Sequence, residues 1–137
     1  MDKKSIALCQ IISGARLFNE KDYISCITLC GAAEEVLGKI SQKENGINQY
    51  DYRLYGLENL YRFLGAEIPN KQELNKTVNL SKNELKHNDK GENTIINCDF
   101  ENEAAILFID SVKNYYNCFN EYPNNNTVIS LFEYLTL

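Results

Sequence analysis

Only two prolines, Pro69 and Pro123, punctuate a chain of 137 residues, and apolar side chains recur along it at intervals of three and four. Proline lacks the N–H that a helix interior needs, and an i, i+3, i+4 recurrence lines one face of a 3.6-residue helix. The chain is therefore read as all-α, an antiparallel bundle of about five or six helices joined by short loops. At 137 residues, 44% of them hydrophobic, it is expected to form a single domain, 1–137, around one core.

The periodicity places a first helix from about Lys4 to Phe18, with Leu8, Ile11, Ile12, Ala15 and Phe18 on one side. Asp22 is a suitable N-cap for a second helix, whose expected core stripe is Cys26, Leu29, Cys30, Ala33, Val36, Leu37 and Ile40. The polar stretch Gln42 to Gln49 reads as a loop. A third helix from Asp51 to about Leu64 is rich in aromatic residues, taken here as core rings with hydroxyls reaching solvent, and Gly65 ends it. Asn70 followed by Glu73 opens a fourth helix expected to run to about Asp89. Asp99 caps a fifth, with Ala104, Leu107, Phe108, Val112, Tyr115 and Phe119 facing inward. Pro123 and the Asn124-Asn125-Asn126 run break it before a short last helix from Thr127 to Leu135.

Nineteen acidic against fourteen basic residues leave a net charge of −5, which argues against non-specific coating of nucleic acid. Lys3 and Lys4 before Ile6-Ala7-Leu8-Cys9 resemble the start of a signal peptide, but Gln10, Ser13 and Gly14 interrupt the apolar run too early, and no stretch is long enough to cross a bilayer. The five cysteines are odd in number and form no C-x-x-C pair, so they are read as reduced, buried thiols of a cytoplasmic protein. Cys26 and Cys30 sit in an apolar stripe without enough further ligands for structural zinc, so no metal site and no cofactor are assigned.

The fourth helix carries the chemistry. Lys71 to Lys90 holds five lysines against Glu73, Glu84 and Asp89, a balance of +2 that leaves −7 for the rest of the chain. A small cationic surface on an acidic protein favours a focused anion site. In a continuous helix, Leu74, Val78, Ser81 and Leu85 would form the core face, and Asn83 and His87 would lie about 140–180° around from it. The only histidine would then point away from the core, flanked by Lys82 and Lys86. On the second helix, Glu34 shares a face with Ile27, Gly31 and Gly38, about 110° from the expected core centre, and Glu35 lies further out. Glu34 is either a boundary carboxylate or a partner for His87 or Lys82.

The segment Lys82-Asn83-Glu84-Leu85-Lys86-His87, late in a helix and followed by a capped, alanine- and aromatic-rich helix, resembles the HEPN superfamily. Its signature is an arginine, usually a polar residue such as asparagine, and a histidine a few positions on. Asp22-Tyr23-Ile24-Ser25 and Gly31-Ala32-Ala33-Glu34-Glu35-Val36-Leu37-Gly38 also resemble small bacterial HEPN-like proteins, so the likeness extends from about Ala15 to Asn120. It implies a homodimer whose paired motifs form a cleft that cuts RNA without a metal, in bacterial defence or a toxin–antitoxin system, with a cognate antitoxin or nucleotidyltransferase as partner. By the resemblance His87 handles the proton, Asn83 is its polar helper, and Lys82 stands where the family has arginine. Lys86 and Glu34 are the candidate substrate-binding residues.

Lysine keeps the charge of arginine but not the planar fork that grips two phosphate oxygens. Losing one such clamp commonly costs about 10²–10³ in rate. An imidazole with an ordinary pKa near ~6.5 can still take and give protons at neutral pH. Two further readings stay open: a catalytically silent HEPN-like module that binds a partner protein or nucleotide, and a dimer in which the helix-four face is only an interface. His87, Lys86 and Lys90 also sit where cations complement a helix dipole.

Overall fold

The structure, a computed structural model, describes residues 1–45, 49–79 and 99–137. These form six helices: α1 (Lys3–Asn19), α2 (Tyr23–Asn45), α3 (Gln49–Phe63), α4 (Lys71–Val78), α5 (Phe100–Phe119) and α6 (Asn126–Thr136). No strand occurs among the described residues, and the expected all-helical bundle is what forms.

Asx side chains start most of these helices. Asp2, Asp22, Asn70, Asp99 and Asn125 each accept a hydrogen bond from the backbone N–H three residues on, at 2.7–3.1 Å. Each satisfies one of the donors that a helix N-terminus leaves without an intrahelical acceptor. The asparagine run after Pro123 therefore has two effects: it lies between helices, and its Asn125 caps α6. Gly65, at φ +68, follows α3, and Asn120, at φ 54, closes α5 in the left-handed region.

The core lies where α2 packs against α5 on one side and α1 on the other, with α6 over the α1–α5 end. It joins Ala7, Ile11, Ala15 and Phe18 of α1 to Cys26, Cys30, Ala33 and Leu37 of α2. Leu107, Phe108, Val112 and Tyr115 of α5 complete it with Val128 and Leu131 of α6. Gly14 sits at the α1–α2 crossing, where a methyl group would overlap Cys30 Sγ. Gly14→Ala should therefore cost about 1–3 kcal/mol of stability despite alanine's better helix propensity. Added to a Cys30→Ala background, the same change should cost at least ~1 kcal/mol less, measured by urea unfolding of the four proteins.

Five expectations are corrected. First, the buried side of α2 is not the predicted stripe. Ile27, Gly31, Glu34, Gly38 and Ser41 are buried together with Cys26, Cys30, Ala33 and Leu37, an arc of about 160° centred about 80° from the expected one. A central helix with neighbours on two sides buries more than one stripe, and apart from Ile27 the extra arc is occupied by small or hydrogen-bonding residues. Val36, expected in the core, is 36% exposed, and Leu29 and Ile40 are only half-buried.

Second, α4 is closed by Asn79 after Lys71–Val78, and the rest of the helix expected to run to about Asp89 lies outside the described residues. The Arg53 guanidinium donates to the Val78 carbonyl at 3.2 Å, and the Asn79 side chain donates to the Tyr50 hydroxyl at 2.9 Å. The first satisfies a carbonyl at the end of α4, and the second ties its capping residue to α3. Leu74 is buried as expected, but a face shared by Leu74, Val78, Ser81 and Leu85 presupposed an unbroken helix, and Ser81 and Leu85 lie outside the described residues.

Third, α3 is mostly a surface helix. Tyr55, Leu60 and Phe63 are exposed, Phe63 at 87%, and Leu54 is its buried anchor. Fourth, Cys9 is exposed, whereas Cys26 and Cys30 are buried with their sulfurs 3.9 Å apart. Fifth, the α2 helix runs on to Asn45, into the stretch expected to be a loop.

Candidate functional site

Beyond the apolar core, α2, α3, α4 and α5 share a polar region. Tyr50 and Arg53 lie one turn apart on α3, so both face the same way. The Tyr50 hydroxyl donates to Asn75 Oδ1 at 2.6 Å and accepts from Asn79 Nδ2 at 2.9 Å. Asn75 and Asn79 are four apart on α4, which aligns their amides on one side of it. Arg53 bridges further: one terminal nitrogen takes the Val78 carbonyl, and the other lies 3.2 Å from Asp110 Oδ2 on α5. One face of α3 is thus tied to α4 by hydrogen bonds and to the bundle by an ion pair.

Asp110 is a buried charged residue on α5, one turn from the buried Asn114. Its side chain is 9% exposed and that of Arg53 21%. The contact is close, but among the described residues neither Asp110 Oδ2 nor Arg53 Nε has an aligned hydrogen bond. Burial pushes the Asp110 carboxyl up to about 6, against the pull of Arg53 and with a further push from Glu34. Burial also raises the Tyr50 phenol.

The folded chain therefore holds the Asp110 proton more tightly than an unfolded aspartate at 3.8 does. The contribution of this group to stability is greatest at acid pH and declines as pH rises from about 4 through about 6. Relative to Asp110→Asn, the native protein should gain about 2 kcal/mol between pH 7.5 and pH 4. Denaturant unfolding of both proteins at the two pH values measures this, and a pH-independent difference would contradict it.

Glu34 stands in this region. It is 3% exposed, near the centre of the observed buried arc of α2, so it is not a solvated boundary carboxylate. It acts electrostatically on both Asp110 and Tyr50. It also lines a pocket of about 360 Å³ between α2, α3 and α4, together with Glu35, Lys39, Asp51, Lys71, Asn75 and Asn79. Such walls suit a ligand with hydroxyl or amide groups: the asparagines offer donors and acceptors, the carboxylates accept, and the lysines meet negative charge.

The other candidates fall elsewhere. Lys82, Asn83, Lys86 and His87 lie outside the described residues. Asn79, in the pocket wall, precedes Lys82 by three positions. Cys26 and Cys30 are core thiols: the Cys26 contact and burial push the Cys30 thiol well up, which keeps it protonated and unreactive. No cluster of three or more metal-ligating side chains occurs among the described residues, and no described helix is long and apolar enough to cross a membrane.

Tyr50, Arg53, Asn75, Asn79 and Asp110 escaped the sequence reading. One signal was available: Asp110 interrupts the apolar run Ala104-Ala105-Ile106-Leu107-Phe108-Ile109, where a carboxylate needs a partner. No family model, curated protein or solved structure matches the chain.

Proposed function

We propose that this chain is a HEPN-like, metal-independent endonuclease for single-stranded RNA, acting in the cytoplasm as a homodimer in bacterial defence or a toxin–antitoxin pair. The observation that carries the reading is Glu34, buried in the wall of a polar pocket that Asn79 also lines; in the sequence Asn79 precedes Lys82 by three positions. In this reading His87 moves the proton between the 2′-hydroxyl and the leaving oxygen, and Asn83 orients it. Lys82 and Lys86 meet the phosphate charge, and Glu34 accepts hydrogen bonds from sugar hydroxyls. A cognate antitoxin or nucleotidyltransferase would be the natural partner.

The test is cleavage of a short single-stranded RNA by purified protein in excess EDTA. Products ending in a 2′,3′-cyclic phosphate support attack by the 2′-hydroxyl; intact RNA at all enzyme concentrations sinks the reading.

One observation favours a second reading, a catalytically silent HEPN-like module that binds a partner protein or nucleotide. The pocket wall carries three carboxylates, Glu34, Glu35 and Asp51, against two lysines, Lys39 and Lys71, a poor balance for holding phosphates. Restoring the family's arginine separates the two. Lys82→Arg should raise cleavage by about 10-fold or more if the site is a nuclease limited by its phosphate clamp. No cleavage before or after the substitution selects the binding module.

A further inference from the structure

One edge of the α2 stripe that periodicity assigns to the core is left open. Val36 is 36% exposed and Ile40 half-buried, and across from them on α1 Ile6 is 43% exposed. These three side chains line a groove of about 460 Å³ between the two helices, floored by the small residues Ala7 and Ala32. Lys3, Lys39 and Lys43 border it, and no carboxylate lines it among the described residues. Among the described residues the ion pairs are Lys4–Glu121, Arg16–Glu20 and Arg53–Asp110, and none of them uses Lys3, Lys39 or Lys43. On a protein of net charge −5, this is an apolar trough with a cationic border.

We propose that this groove docks an acidic amphipathic helix from a partner protein, with apolar side chains seated between α1 and α2 and carboxylates facing Lys3, Lys39 and Lys43. Two neighbouring antiparallel helices present a straight furrow into which a third helix packs ridge into groove. From Lys3 to Gln10 the furrow runs about 10 Å, close to two helical turns. That length receives apolar anchors at i, i+3 or i+4, and i+7, the pattern of helix-in-groove recognition. Charge complementarity selects the sign of the partner: an acidic helix is attracted, and a basic one meets three ammonium groups. Nucleic acid fits poorly, because among the described residues no aromatic side chain lines the groove for base stacking. Lys39 stands between the groove and the polar pocket, where Glu35 lines the pocket side. The groove shares Lys39 with the polar pocket but is not lined by Glu34, and the docking proposal does not depend on the proposed nuclease activity.

The experiment uses fluorescence anisotropy of the full chain with a panel of labelled helical peptides of about 18 residues, long enough to hold helix on docking. Each carries leucine, isoleucine or phenylalanine at the anchor spacing and glutamate on the flanks; control peptides carry lysine in place of glutamate. We expect saturable binding of acidic members, at least 10-fold weaker binding of their lysine counterparts, and weakening as salt is raised. Lys3→Glu with Lys43→Glu, and separately Ile6→Glu, should each weaken acidic-peptide binding by at least 10-fold. Both changes are at the surface, on either helix, and circular dichroism melts check that each protein is folded. Absence of saturable binding, equal binding of the lysine peptides, or binding unchanged by both variants overturns the proposal. So does binding of anionic vesicles or an RNA oligonucleotide that the same variants abolish while no acidic peptide binds.

Discussion

Arg53→Ala should lower stability by about 3 kcal/mol at pH 7.5 and by only about 1 kcal/mol at pH 4.5. Two losses combine. The Val78 carbonyl gives up its donor at the end of α4, a cost that does not depend on pH. Asp110, in a side chain 9% exposed, also loses the cation 3.2 Å away. With that carboxyl titrating at about 6, it is ionised at pH 7.5, and removing Arg53 strands a buried negative charge beside Glu34. At pH 4.5 Asp110 is protonated, and the electrostatic part of the loss disappears. Urea unfolding at both pH values checks the difference. Adding Asp110→Asn to Arg53→Ala should recover most of the pH-dependent part, because no charge is then stranded. An equal loss at the two pH values would mean that Arg53 acts only through its hydrogen bond and packing.

This pair also explains why part of the fold was legible in sequence and part was not. Helix existence follows from local information: the three- and four-residue spacing, the capping side chains of Asp22, Asn70 and Asp99, and Gly65 at positive φ. The stop of α4 at Val78 does not. It depends on Arg53 and Tyr50, residues 25 and 29 positions from the groups they bond, so a local pattern that continues past Asn79 contains no trace of it. The buried face of α2 was misjudged for a related reason. Hydrophobic periodicity weighs Val36 and Ile40 as core and Glu34 and Ser41 as surface, whereas packing by two helices and the polar region around Asp110 turn the helix the other way. Glu34 itself was partly legible, because Gly31 and Gly38 on its face marked a place where another element could come close.

The second large effect concerns chemistry. His87→Ala should reduce RNA cleavage by about 10²–10⁴-fold, the usual worth of a positioned acid–base group. The prediction rests on the proposed role of His87 as the only imidazole in the chain, since no other side chain here has an ordinary pKa near neutrality for a proton that must be taken and returned. Lys82 and Lys86 can lower the energy of the phosphate but, as ammonium groups at neutral pH, cannot act as the base. Glu34→Gln should give a smaller loss, about 10-fold, by weakening a hydrogen bond to substrate while leaving the proton path intact.

The most direct measurement is the initial rate of cleavage of a fluorophore-quencher single-stranded RNA in excess EDTA, with native protein and His87→Ala side by side at equal concentration. The account predicts cleavage by the native protein and a rate at least ~10²-fold lower for the variant. Equal rates for the two proteins would contradict it.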